Sequence, residues 1–182
     1  MKKLAAVAMA LVLLFSFALA ETETEATTMN FRELVGEETL SQGTYTQLGN
    51  LSMHIWIPNG KFSEVEIPQD DEEYADTVMI LSYDANPDFE LVIEAGETDV
   101  SIDDALADLQ SEENAEVFSN IKPGIINGIN GISYDVKFDD GTVYTAAEFY
   151  VDNYFVSFSC PTTDDAELMQ YASMITCSLE II

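Results

Sequence analysis

The 182-residue chain carries 34 acidic side chains against six Lys and Arg, for a formal charge of −28 with a single histidine. A polyanion of this density repels phosphate backbones and anionic bilayers, which excludes nucleic acid and acidic membrane surfaces as partners. Nearly half the residues are hydrophobic, enough at this length for one domain with a full core.

The chain opens with the charge and apolar pattern of a secretory signal over residues 1–20. Lys2-Lys3 precede an almost unbroken apolar run from Leu4 to Leu19, and Ala18-Leu19-Ala20 supplies a small-x-small cleavage site. The run is slightly short of the ~20 apolar residues that span a bilayer, so cleavage is expected rather than an anchor. No Cys follows it to carry a lipid. Loss of Lys2 and Lys3 takes the charge from −28 to −30. Residues 21–29, ETETEATTM, are acidic and Thr-rich, and read as a disordered linker ahead of a single domain over 30–182. Asn30-Phe-Arg-Glu resembles a capping box that opens a short helix ended by Gly36.

Leu51, Met53, Ile55 and Ile57 alternate with polar neighbours and predict a strand over 51–57 that ends at Pro58, with Gly49-Asn50 closing a hairpin onto residues 44–48. The region from Phe62 to Glu73 lacks a period and reads as a solvated loop. Val78-Met79-Ile80-Leu81 is apolar on both sides, as in a strand covered on both faces. Phe89, Leu91, Ile93 and Ala95 alternate after the turn, and a five-residue loop puts Ile80 opposite Val92. Ser101 caps the clearest helix, with Asp104 three residues on and Ile102, Ala105, Leu106 and Leu109 on one stripe. A strand over 116–121 follows. Asn127-Gly128 is suited to a hairpin turn and Asn130-Gly131 to a bulge.

Residues 131–160 carry the strongest pattern. Two-residue turns at Asp140-Gly141 and Asp152-Asn153 give an antiparallel meander that pairs Ile132 with Phe149, Phe138 with Val143, and Phe149 with Val156. In that register Ile132, Tyr134, Val136 and Phe138 share a face with Phe149 and Phe158. The other face holds Ser133, Asp135, Lys137, Ala146, Glu148, Ser157 and Ser159, with Tyr150 opposite Phe155 and Tyr144 opposite Lys137. A helix capped at Thr163 or Asp164 then presents Leu168, Ala172 and Ile175, and the chain closes on an extended tail.

The expected architecture is α+β: an antiparallel sheet of about six strands with helices on both faces. This order of elements resembles the PsbP-like α/β/α sandwich over roughly residues 43–182. The resemblance also rests on Ile55-Trp56-Ile57-Pro58 at the early strand, the Asn-Gly lead into Gly131-Ile132-Ser133-Tyr134, and Ser178-Leu179 after the last helix. It implies a binding or accessory role with no catalytic residues to carry over.

The residues themselves point the same way. His54 has no Cys partner nearby in sequence and no G-x-S-x-G elbow accompanies it, so it is read as structural, with neither a catalytic pair nor a zinc site. Asp84-x-Asn86-x-Asp88 has the alternating oxygens of a calcium loop. However, Phe89 stands where that loop needs Gly, and Ala95 where it needs Glu, so a hairpin turn is favoured. Cys160 and Cys177 are expected as two buried thiols, since a helix of some ~18 Å separates them. No cofactor is expected, and the chain is read as a non-enzyme. The reading is an exported, monomeric binding domain of the cell envelope or extracellular space, with an acidic calcium-binding protein as the alternative. Tyr144, Tyr150 and Phe155 are its candidate contact patch for a partner, a basic one given the surrounding carboxylates.

Overall fold

The computed structural model describes residues 27–68 and 74–182; the expected leader over 1–20 and most of the expected linker over 21–29 lie outside them. In chain order the elements are β1 (Thr27–Met29), α1 (Phe31–Leu40), β2 (Gly43–Gln47), β3 (Met53–Pro58), β4 (Phe62–Glu64), β5 (Thr77–Tyr83), β6 (Asn86–Glu97), α2 (Ile102–Leu109), β7 (Phe118–Ile126), β8 (Ile129–Lys137), β9 (Val143–Val151), β10 (Tyr154–Pro161), α3 (Ala166–Cys177) and β11 (Glu180–Ile181).

Eight strands form one sheet in the order β1-β7-β8-β9-β10-β6-β5-β4, and β11-β3-β2 form a second. The sheet therefore has eight strands where about six were expected. Two of the additions are three-residue edges. β1 pairs parallel with Gly124–Ile126 of β7, and β4 pairs antiparallel with Leu81–Tyr83 of β5. Segments this short carry no readable period, so Thr27–Met29 passed for linker and Phe62–Glu64 for loop. The early hairpin lies outside that sheet and joins the C-terminal strand, with His54 opposite Glu180.

The core lies between the large sheet on one side and α3 with β3 on the other. Met79, Leu81, Phe89, Leu91, Ile93, Phe149, Val156 and Phe158 meet Met53 and Ile55 of β3 and Leu168, Ala172 and Ile175 of α3. The opposite face is covered over β7 and β8 by α2, whose Ala105 and Leu109 pack with Ile132, Tyr134 and Tyr150. Helices thus lie on both faces. Ser101 caps α2 as expected, accepting from the Asp104 backbone at 3.2 Å. The cap of α3 is Asp165, one residue past the expected positions; its carboxylate accepts from the Glu167 and Leu168 backbones. α1 is capped by Asn30, and Gly36 ends its first segment as expected: at φ 74° and ψ 164° it is non-helical, and a second short helical segment follows across the kink to Leu40.

One difference reorganises the meander. The β9–β10 register is as expected, with Phe149 opposite Val156 and Ala147 opposite Phe158, and so is Ile80 opposite Val92. The β8–β9 register is shifted by one: Ser133 faces Ala147, Asp135 faces Thr145 and Lys137 faces Val143. The turn has three residues, not two. The Gly141 amide donates to the Phe138 carbonyl, the Phe138 amide donates to the Thr142 carbonyl, and Gly141 alone takes positive φ, at 87°. This is a three-residue hairpin loop with its left-handed residue at the last position. A shift of one moves every β8 side chain to the other face. Ile132 and Tyr134 therefore pack under α2, Phe138 is half exposed, and Ser133 and Asp135 turn toward α3.

Gly131 lies within β8 without a bulge, because it leaves room for Phe149: a Cβ there would sit 2.8 Å from that ring. The bulge falls in β7, where the register steps between Ser119 and Lys122 and Asn120 takes φ 55°. Asn127-Gly128 closes the β7–β8 hairpin as expected, with φ 53° and 82°.

Cys160 and Cys177 are free and buried in different clusters, and burial pushes both thiols up to about 12. Phe149 and Phe158 meet edge to face at 5.7 Å and are almost wholly enclosed. Truncating either to Ala should cost ~3–5 kcal/mol in urea unfolding; a loss near that of a surface change would contradict their place at the centre.

Candidate functional site

The shifted β8 register opens a groove between the β8–β9 end of the large sheet and α3. It has a volume of about 230 Å³ and is lined by Asn120, Ser133, Asp135, Thr145, Thr162, Met169 and Ser173, with Tyr134 at its margin. Asp135 and Thr145 are cross-strand partners, so both side chains emerge on this face. The β7 bulge brings Asn120 to the same place, since one extra residue re-aims the side chain next to it.

Asp135 is the centre of the polar set. Asn120 Nδ2 donates to Asp135 Oδ2 at 2.6 Å, and Thr145 Oγ1 donates to Oδ1 at 3.0 Å. Thr145 and Thr162 share a hydroxyl contact at 2.9 Å. The carboxylate is thus oriented by two neutral donors. Ser173 is turned onto its own helix, donating to the Met169 carbonyl at 2.7 Å. A second, water-sized space of about 10 Å³ continues beneath α3 among Ala147, Phe158, Cys160, Ala172 and Thr176, sharing Thr145, Met169 and Ser173 with the groove.

Lys122 enters on the same face, opposite Ser133. Its ammonium nitrogen is enclosed and has no hydrogen-bond partner. Burial pushes its pKa down, and the charge of Asp135 acts in the opposite direction. Desolvation outweighs that attraction because the two groups make no ion pair.

The residues singled out from sequence lie elsewhere. Tyr150 and Phe155 are opposed as expected, on the face away from the groove. Tyr150 is half-buried in the α2 cluster and donates to Glu148 Oε2 at 2.7 Å, while Tyr134 donates to Oε1 at 2.5 Å. Burial and these bonds to a carboxylate raise both phenols. Phe155 lies over Gly96. Tyr144 pairs with Val136, not Lys137, and meets Phe138 edge to face at 5.3 Å. It stands six positions from Tyr150, roughly 20 Å along the strand, so the three rings are not one patch. Asp84 accepts from Ser63 Oγ at 2.7 Å in the β5–β6 turn, beside Asn86 and Asp88. Among the described residues no group of three or more His, Cys, Asp or Glu side chains is placed to hold a metal.

His54 belongs to a clasp between the two ends of the domain. Glu180 accepts both Arg32 Nε and Nη2 at 2.7 Å, pairs with His54 Nε2 at 3.0 Å and accepts from Tyr45 at 3.2 Å. Arg32 also stacks 4.5 Å over the Tyr45 ring.

No family model and no curated protein sequence matches the chain. The described architecture is that of a PsbP-like α/β/α sandwich. It superposes on the solution structure of cyanobacterial PsbP (CyanoP) from Synechocystis sp. PCC 6803 with a TM-score of 0.53 and 12% identity, covering 81% of this chain and 96% of that one. The likeness is one of fold. A protein of unknown function and putative regulator from Pseudomonas aeruginosa aligns over 70% of this chain and 88% of its own, at 15% identity and a TM-score of 0.32.

The Arg32 bonds, chiefly, hold Glu180 below the usual carboxylate range. A carboxylate with a lowered folded pKa contributes stability above its unfolded value of ~4.3 and loses it as pH falls through the folded one. The stability gap between wild type and Glu180→Gln should therefore be fully present at pH 7 and close progressively below about pH 4.5. Urea midpoints measured across that range check it; a gap independent of pH would rule out the ionic clasp.

Proposed function

We propose that the chain is an exported, non-catalytic binding or accessory domain of the cell envelope or extracellular space. The observation that carries this reading is the groove at Asp135, where hydroxyl, amide and carboxylate groups are fixed by two strands, a bulge and a helix. It offers recognition chemistry on rigid elements rather than a nucleophile poised beside a base. His54, the chain's one imidazole, is committed to Glu180. The PsbP-like fold supports an accessory role, and the leader pattern over residues 1–20 supports export. No helix among the described residues is long and apolar enough to cross a membrane.

Expression of the full chain in a cell with a general secretory system, followed by fractionation and intact mass, tests the export half. The expected product is an extracytoplasmic chain beginning at Glu21; a full-length cytosolic chain would refute it. The binding half is tested with the 21–182 form, photo-cross-linked within the envelope fraction of the producing cell. Saturable labelling of a defined component, competed by unlabelled chain, is expected. Labelling that never saturates would speak for diffuse charge attraction only.

A further inference from the structure

Resting on that binding-domain reading, we propose that the groove at Asp135 takes an organic cation: an alkylammonium group carried on a short aliphatic stem. Asp135 is the sole ionisable carboxyl lining the groove, and both of its hydrogen-bond donors are neutral. The three ion pairs formed among the described residues do not include it. Lys122 does not line the groove; its enclosed nitrogen feels the Asp135 charge but forms no ion pair with it. A half-enclosed carboxylate held in place by Asn120 and Thr145, and ion-paired with none of the described residues, is thus preoriented for a cation brought from outside.

Size and lining narrow the class. A volume of about 230 Å³ falls below the ~300–1,000 Å³ of pockets for drug-sized ligands, so the guest is a fragment of few atoms. Thr145 and Thr162 can accept further hydrogen bonds of an ammonium head, whose three donors exceed what one carboxylate oxygen satisfies. The Met169 thioether borders the same space and gives a methylene stem an apolar, adaptable wall. An anion would meet Asp135 directly within a chain of formal charge −28. The shared chemistry is met by a free polyamine or by a lysine side chain on a basic protein.

Both sources are tested with the 21–182 form at a fixed ionic strength of about 0.15 M, where diffuse attraction is screened beyond ~8 Å. The probes are spermidine, acetyl-Gly-Lys-Gly-amide, and the same tripeptide acetylated on its lysine. Saturable shifts of the Met169 methyl and of the Thr145 and Thr162 methyl resonances are expected with a charged probe and not with the acetylated one. Asp135→Asn, which removes the charge and keeps an acceptor oxygen for one of the two donors, Asn120 and Thr145, should weaken that probe at least tenfold. Tighter binding of the tripeptide assigns the site to a protein partner, and tighter binding of spermidine to a free amine. Equal binding of the acetylated peptide, an unchanged affinity in Asp135→Asn, or shifts absent from the groove would overturn the proposal. The resonance test uses wild type and stands even if the variant fails to fold. Saturable cross-linking in the envelope together with a silent groove would sink this inference while leaving the binding-domain reading intact.

Discussion

The side chain of Asn127 holds the domain's beginning, middle and end together. It occupies the first position of the β7–β8 turn at φ 53°, a conformation that Asn tolerates better than most residues. From there its Oδ1 accepts from the Phe31 backbone at 2.8 Å, at the start of α1, and its Nδ2 donates to the Cys177 and Leu179 carbonyls at 3.1 and 2.8 Å. Its backbone amide donates to the Met29 carbonyl. One residue thereby satisfies groups that would otherwise be left without partners at the ends of two helices. Around it, Phe31, Val35, Trp56, Met174 and Cys177 form a hydrophobic cluster separate from the main core.

Much of this was legible in the sequence where the physics was local. Asn127-Gly128, Asp152-Asn153 and the Ser101 cap each act within a few residues, and each lies where its chemistry places it. The alternation in β8 was equally plain, yet alternation fixes only which residues share a face, not which face is inward. That choice rested on whether Asp140-Gly141 formed two or three residues of loop, and the Asp-Gly pair suits both. With Gly141 as the single left-handed residue, Ile132 and Tyr134 face α2, and the groove exists because Ser133 and Asp135 face α3.

The groove was not legible for a further reason. Its members come from β7, β8, β9, the loop after β10, and α3, and nothing in their spacing marks them as neighbours. Asn120 is the one local hint: an Asn inside an otherwise regular strand run is a residue suited to positive φ and hence to a bulge. The clasp at Glu180 was hidden in the same way, since its partners are separated by 148, 135 and 126 positions.

Those separations bear on the order in which the chain can reach its final form. α1 is among the first elements made, yet its first amide, its Arg32 and its apolar face are secured by residues 127, 174, 177 and 180. Contacts between sequence-distant segments wait on loop closure and form slowly. The N-terminal portion of the domain therefore has little to dock against until nearly the whole polypeptide is available. Under the proposed export, such late locking would keep the translocating segment pliable and reserve compaction for the far side.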